Sequence, residues 1–190
     1  LENSDSESEE HARTRFEALL EAAMEHGCVS DAVVAESLSQ ARNLWHIRES
    51  ISLAQAEEGL NIKHDISVPI SAIPAFVAHT DALLAAQIAG VRLVNFGHLG
   101  DGNLHYNVQA PEGGDNKAFL RDWEEKVNTL VFDQVHKFNG SISAEHGVGH
   151  HKRETLQALA PPAQLALMRP LKQALDAPGI MNPGKVFTAA

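Results

Sequence analysis

The sequence predicts an α+β fold in which helices pack on one face of a ferredoxin-like antiparallel sheet, with further helices at the C-terminus. Residues 91–98 and 103–109 alternate apolar and polar side chains around an Asp-Gly pair, a pattern typical of a β-hairpin. Segments with helical apolar spacing lie on both sides of this hairpin, which favours interleaved strands and helices. The composition, 44% hydrophobic and 21% charged over 190 residues, is that of a globular domain with a core.

The other elements follow in order from apolar spacing, caps and turn residues. Residues 1–3 are expected to end a strand, and Ser6 or Ser8 to cap a helix that ends at His26 and Gly27. Pro74 fits the first turn of a later helix, where proline is tolerated. The remaining predictions are a helix over 30–59, an extended segment over 63–70, helices over 71–89 and 117–138, a strand over 140–144, a turn over 145–149, and helices over 152–159 and 162–175.

Charge and cysteine content exclude several classes of protein. The net charge of −10 argues against nucleic acid and anionic membranes as main partners. Cys28 is the single cysteine, so the chain can form neither an internal disulfide nor a CxxC metal site. No apolar run approaches the roughly 20 residues that span a bilayer, and no signal-peptide pattern is present. We expect a single cytoplasmic domain over residues 1–190 that starts inside a longer protein.

The hairpin carries two histidines with metal-ligand potential. If Asp101 and Gly102 form a two-residue turn, His98 lies opposite His105, on the face that also carries Asn103 and Asn107. Opposed side chains on one face are about 5 Å apart at Cβ, so two imidazoles there can reach one ion. The alternative is a pair of surface histidines on an exposed sheet face.

Glu145 and His146 are the best candidates to complete such a site. A divalent ion held by two histidines usually also takes a carboxylate, and Glu145 follows the apolar-flanked segment 141–144. His146 could accept a proton, since imidazole titrates near neutral pH. The alternative here is a helix-capping turn with a solvated acid.

Three ordered motifs carry a family resemblance. Residues 97–105 read Gly-His-Leu-Gly-Asp-Gly-Asn-Leu-His, residues 143–149 read Ser-Ala-Glu-His-Gly-Val-Gly, and residues 182–186 read Asn-Pro-Gly-Lys-Val. They resemble the C-terminal domain of FAD-linked oxidases of the vanillyl-alcohol-oxidase superfamily, which includes D-lactate, glycolate and D-2-hydroxyglutarate dehydrogenases. The similarity runs through nearly all of the chain.

The resemblance implies roles for individual residues. His98, His105 and Glu145 match positions that hold a divalent metal, commonly zinc, and His146 matches a base that takes the hydroxyl proton. The substrate-binding positions matched are Arg48, Ser52, Lys63 and Asn107, and Asn182 matches a position near the flavin ring. Serine at position 52 departs from the threonine of D-2-hydroxyglutarate-type enzymes, and Arg48 could instead form only a surface ion pair.

The implied activity is the FAD-dependent oxidation of a D-2-hydroxy acid to a 2-keto acid. FAD would be bound mainly by an N-terminal domain to which nothing in this chain corresponds, so we expect the chain alone to be inactive and its polar sheet face to be open to water. An electron-transfer flavoprotein or a quinone could accept the electrons, and the protein could form a homodimer. Two other functions stay open, a non-catalytic metal- or ligand-binding module and a metallohydrolase with the same His/His/Glu set.

Overall fold

The computed structural model describes residues 1–187 of a chain that divides into two compact units, Leu1–Glu57 and Glu58–Ala190. The first unit is helical and the second combines helices with a sheet, so the predicted α+β class is confirmed. Within the described range, no helix has the length and apolar character needed to cross a bilayer.

The first unit contains α1 (Glu9–Glu25), α2 (Leu38–Glu49) and α3 (Ile51–Glu57). Ser8 caps α1 by accepting the backbone N–H of His11 at 3.1 Å, as the sequence suggested. The strand expected at residues 1–3 is absent from this unit as described, because the Asn3 amide instead donates to the carbonyl of Ala12.

The single helix expected over residues 30–59 is wrong. Ser37 caps α2 by accepting the backbone N–H of Gln40, so the helix begins at Leu38 and not near Ser30. The helical run is interrupted at Ser50, whose hydroxyl donates to the carbonyl of His46 at 2.7 Å. Such a bond from a serine back to the preceding turn competes with regular helix geometry.

The second unit is built on a three-stranded antiparallel sheet. Its elements are β1 (Asn61–Ser67), α4 (Ile73–Gln87), β2 (Arg92–Phe96), β3 (Asn103–Gln109), α5 (Asn116–Lys137), α6 (Arg153–Leu159) and α7 (Pro162–Leu175). The strand order is β1-β3-β2, and α5 packs on β1 and on α4. This order, with one helix after β1 and one after β3, is the ferredoxin-like arrangement up to its last strand.

The last predicted strand, residues 140–144, is reduced to one antiparallel bridge between Ser67 and Ser141. The Ser141 hydroxyl donates to the carbonyl of Ser143 and accepts its backbone N–H, so the segment turns instead of extending the sheet. This turn leads the chain into residues 145–149.

The hairpin register differs from the expected one by two residues. Phe96, not His98, lies opposite His105, because residues 99–101 form a 3₁₀ turn and Gly102 follows in the left-handed conformation at φ 70°. A side chain at Gly102 would also collide with the carbonyl of Val68. His98 therefore lies just beyond the end of β2. A shift of two residues keeps every strand side chain on its predicted face.

The core lies between the sheet and the two long helices. β1 and β3 contribute alternate residues, among them Ile62, Ile66, Tyr106 and Val108, and Phe76 of α4 packs edge-on against the Tyr106 ring. Their burial is near complete. This leaves the opposite face of the sheet to the remaining alternate residues of each strand.

Candidate active site

The second face of the sheet is polar and is built by all three strands. In its central row, His105 of β3 pairs with Asp65 of β1 on one side and with Phe96 of β2 on the other. In the next row, Lys63 pairs with Asn107. Because strand side chains alternate between faces, these residues share one surface.

Glu145 brings the two predicted metal-binding histidines together. Its Oε1 lies 2.9 Å from Nδ1 of His98 and accepts the side-chain amide of Asn103 at 2.6 Å. Its Oε2 lies 3.9 Å from Nε2 of His105. The carboxylate thus reaches both imidazoles although it follows His98 by 47 residues.

Glu145 contacts each histidine, but His98, His105 and Glu145 do not place one ligand atom each within 4.8 Å of one another. Neighbouring nitrogen and oxygen ligands of a tetrahedral zinc ion lie about 3.3 Å apart, given metal–ligand bonds of roughly 2.0–2.2 Å. The two Glu145 contacts, at 2.9 Å through Oε1 and 3.9 Å through Oε2, lie on either side of that spacing and use different oxygens. His98 is about half exposed, at 50% of its side-chain surface, so the set is open on one side to a further ligand.

Asp65 is a buried carboxylate that binds the loop carrying Glu145. Its Oδ2 accepts the backbone N–H groups of Ala144 at 3.2 Å and of Glu145 and His146 at 2.8 Å each. The ammonium of Lys152 donates to its backbone carbonyl at 3.1 Å. Burial disfavours the charge, yet these N–H donors and the nearby cationic groups hold the pKa of Asp65 below its usual range.

His146 is positioned beside this carboxylate but faces solvent. Its Nδ1 lies 3.9 Å from Asp65 Oδ2, beyond hydrogen-bond range, and 69% of its side chain is exposed. Its ring centroid lies 6.1 Å from that of His105. The imidazole is therefore close to the His105 side of the site and accessible from outside.

The C-terminal tail adjoins the same loop. The backbone N–H of Val186 donates to the carbonyl of Gly149 at 2.7 Å, and Arg153 donates to the carbonyl of Gly184 at 3.0 Å. Asn182 precedes this contact and has φ 48°, a left-handed conformation that asparagine tolerates. Two of the three sequence motifs thus meet through one backbone hydrogen bond, between Val186 and Gly149.

The substrate-binding candidates are divided between the two units. Arg48 lies near the end of α2 and Ser52 in the first turn of α3, so they occupy two helices and not the single one expected. Lys63 is exposed on the polar sheet face, whereas Asn107 beside it is buried.

The polar face is less open than expected. Asn103, Asn107 and Asp65 are each buried, whereas Lys63 on the face and His98, Glu145 and His146 at the end of the sheet are exposed. The expectation of a face open to water therefore fails at Asn107 and holds at His98.

Asp65 and Asn103 are site residues to which the sequence interpretation gave no role. The alternation of side chains in β1 could have placed Asp65 on the polar face. Apolar Ile62 and Ile66 face the core, so the residues next to them must face the other way. The contact between Asp65 and residues 144–146 spans 80 positions at Glu145, and no local pattern indicates it.

A second set of groups, Asp65, Glu145 and His146, offers ligand atoms that all lie within 4.8 Å of one another. Asp65 Oδ2 already accepts three N–H groups, and Oδ1 is buried. Oδ1 has no hydrogen-bond partner, so Asp65 keeps one carboxylate oxygen outside these contacts.

Comparison with known proteins agrees with the three motifs. The chain is 43% identical over 172 residues to a D-2-hydroxyglutarate dehydrogenase of Stutzerimonas stutzeri and 44% identical over 170 residues to one of Xanthomonas citri, covering 90% of this chain in each case. A mitochondrial D-2-hydroxyglutarate dehydrogenase of Arabidopsis thaliana is 38% identical over 94% of this chain. The chain spans 37%, 36% and 30% of the lengths of these relatives. The family model for the C-terminal domain of FAD linked oxidases matches residues 2–186, and the chain belongs to that family.

Proposed function

We propose that this chain provides the substrate- and metal-binding part of an FAD-dependent dehydrogenase that oxidises a D-2-hydroxy acid, such as 2-hydroxyglutarate or lactate, to the 2-keto acid. The observation that carries the proposal is the convergence of His98, His105 and Glu145, with His146 next to them. The names of the relatives, all D-2-hydroxyglutarate dehydrogenases, support the same substrate class.

His98, His105 and Glu145 would hold a divalent metal ion, with zinc the best match to two imidazoles and one carboxylate. A metal ion at this position supplies Lewis-acid chemistry, which lowers the pKa of a hydroxyl bound to it. Asn103 holds the Glu145 carboxylate through a 2.6 Å hydrogen bond, so the ligand is oriented before any ion arrives.

His146 would accept the proton of the substrate hydroxyl. Its imidazole is exposed, lies beside His105 and has the Asp65 carboxylate 3.9 Å from Nδ1. That negative charge favours a proton on Nδ1, which leaves Nε2 as the free acceptor.

Arg48, Ser52, Lys63 and Asn107 would bind the substrate's carboxylates. Lys63 and Asn107 are adjacent across the β1–β3 pair, which combines a cation with an amide on the face that carries His105. A guanidinium or ammonium binds a carboxylate through charge-assisted hydrogen bonds. A second carboxylate, as in 2-hydroxyglutarate, would account for two separate cations.

FAD, when bound, would supply the redox chemistry of the reaction, as the acceptor of a hydride from the substrate. We propose that a separate flavin-binding domain holds most of it and that Asn182 contributes from the tail next to Gly149. The electron acceptor, a homodimeric state and a cytoplasmic location stay predictions.

The test uses this chain joined to its flavin-binding domain. Flavin absorbance should bleach when a D-2-hydroxy acid is added anaerobically and should not bleach with the L-enantiomer. The 190-residue chain without a flavoprotein should show no turnover. A joined protein that binds no flavin and instead hydrolyses esters or amides would make the metallohydrolase the correct function.

A further inference from the structure

Asp65 differs from the other acidic residues of the described chain because it is buried and also accepts hydrogen bonds from a loop far away in sequence. Its side chain is 3% exposed, and its Oδ2 is the shared acceptor for three consecutive backbone N–H groups. Consecutive N–H groups that converge on one anion form a nest, a geometry proteins generally use to bind anions. Here the anion is a side chain of the neighbouring strand.

From this geometry we infer that Asp65 is a positioning residue, which fixes the backbone at residues 144–146. The side chains of Glu145 and His146 are thereby held pointing into the candidate site. The inference rests on the proposed function for its consequence, but the contacts themselves involve only residues of this chain. Glu145 and His146 donate their N–H groups to Asp65 and direct their side chains towards His98 and His105.

The alternative role for Asp65 is that of a direct metal ligand. Oδ2 already accepts three N–H groups, which use its lone pairs, whereas Oδ1 is buried and has no hydrogen-bond partner. An ion could bind Asp65 only through the buried Oδ1, whereas the nest on Oδ2 holds residues 144–146 without any ion. The present contacts therefore favour positioning.

Two contacts of the Asp65 backbone hold this residue in place. The backbone of Asp65 lies in the ladder opposite His105, and its carbonyl accepts the ammonium of Lys152. The carboxylate is thus held from a strand, while residues 140–144 form no strand of their own beyond the Ser67–Ser141 bridge. Asn103 of β3 holds the Glu145 side chain, but the three backbone N–H groups of residues 144–146 are held by Asp65.

The experiment compares amide exchange and zinc affinity in the 190-residue chain. Asp65→Ala removes the acceptor, and Asp65→Asn keeps one oxygen but removes the charge. Asp81→Asn is the matched control, since Asp81 is also a hydrogen-bonded carboxylate, accepting the Tyr106 hydroxyl in the same unit without bonding to residues 144–146. Hydrogen exchange is read by NMR at the amides of residues 144, 145 and 146, and zinc affinity by competition with a chelator.

We expect the three amides to exchange at least tenfold faster in Asp65→Ala than in the wild type, with Asp65→Asn between them and Asp81→Asn unchanged. Zinc affinity should fall about 10- to 100-fold in Asp65→Ala, the usual effect of losing a group that orients metal ligands. If Asp65→Ala does not fold, the intermediate exchange in Asp65→Asn carries the test.

Unchanged exchange at all three amides in a folded Asp65 variant would overturn the positioning role. Loss of zinc with the amides still protected would also overturn it, by making Asp65 a ligand. If the wild type binds no zinc, the proposed metal site fails, yet the exchange comparison still decides whether Asp65 holds residues 144–146.

Discussion

Two histidines on neighbouring strands face opposite sides of the sheet and differ in almost every physical respect. His64 of β1 is 1% exposed, with Nδ1 2.8 Å from the carbonyl of Tyr106 and the ring edge-on to Phe132. His105 of β3 lies on the other face, near the Glu145 carboxylate. Burial lowers the pKa of His64 to about 4, so it is a neutral packing residue. The neighbours of a histidine, not its presence in a strand, decide whether it serves the core or a site.

The largest difference between the core face and the polar face is expected when a core aromatic side chain is removed. Phe76→Ala removes a fully buried ring that packs against Tyr106 and Phe138, and should lower the free energy of unfolding by about 3–5 kcal/mol. Denaturant unfolding measures the loss. Zinc affinity of the folded fraction should be unchanged, and a parallel loss of zinc would mean that the faces are not independent.

The pH dependence of stability should carry a contribution from His64. Its folded pKa of about 4 lies below the ordinary 6.5, so the unfolded chain takes up a proton between these values and the folded chain does not. The stabilisation is complete above pH 6.5 and is lost as the pH falls towards 4, by about 3 kcal/mol at roughly 1.36 kcal/mol per unit.

The measurement is unfolding free energy against pH for the wild type and His64→Asn, which keeps a donor near the Tyr106 carbonyl. Carboxylates titrate in both proteins, so their difference isolates His64. The same pH dependence in both would contradict the neutral-histidine assignment.

On the polar face, Glu145→Gln should weaken zinc binding at least 100-fold, or about 3 kcal/mol, because the amide lacks the charge that joins the two imidazoles. Unfolding free energy without metal should change by less than about 1 kcal/mol, since Glu145 is exposed. Chelator competition and denaturant unfolding give the two numbers. If Glu145→Gln instead lowered the unfolding free energy strongly and kept its zinc affinity, Glu145 would serve the fold and not a metal site.

A smaller effect is expected at the hydroxyl of Tyr106. It donates to Asp81 at 2.6 Å, and burial together with that carboxylate raises its pKa. Tyr106→Phe should cost about 1–2 kcal/mol of unfolding free energy and leave zinc affinity unchanged. Adding Asp81→Asn to the Tyr106→Phe variant should then have little further effect, since the bond is already absent. A further large loss in the double variant would show that Asp81 stabilises the fold through some other contact.

The sequence was sufficient to predict which side chains share a face of the sheet. It was not sufficient to predict the pairing register of β2 and β3. Alternation assigned Phe96, His105 and Asn107 to one side correctly, because side-chain period in a strand is independent of the partner. The expected His98–His105 pair was wrong because residues 99–101 form a 3₁₀ turn, which the Asp-Gly pair does not reveal.

Some contacts between site residues that are far apart in sequence were predicted, and others were not. Residue chemistry and the motifs together grouped Glu145 with His98 and His105, and the Glu145 carboxylate lies 2.9 Å from His98 Nδ1 and 3.9 Å from His105 Nε2. Asp65 carries no motif, and its role depends on a fold that places β1 beside residues 144–146. Whether Arg48 and Ser52 bind substrate stays a prediction.

The metal assignment is tested most directly by elemental analysis and zinc titration of the wild type, His98→Ala and the control His136→Ala, which alters an exposed histidine of α5. We predict one equivalent of tightly bound zinc in the wild type and in His136→Ala, and its loss in His98→Ala. One equivalent retained by His98→Ala with wild-type affinity would contradict the assignment of His98, Glu145 and His105 as the metal site.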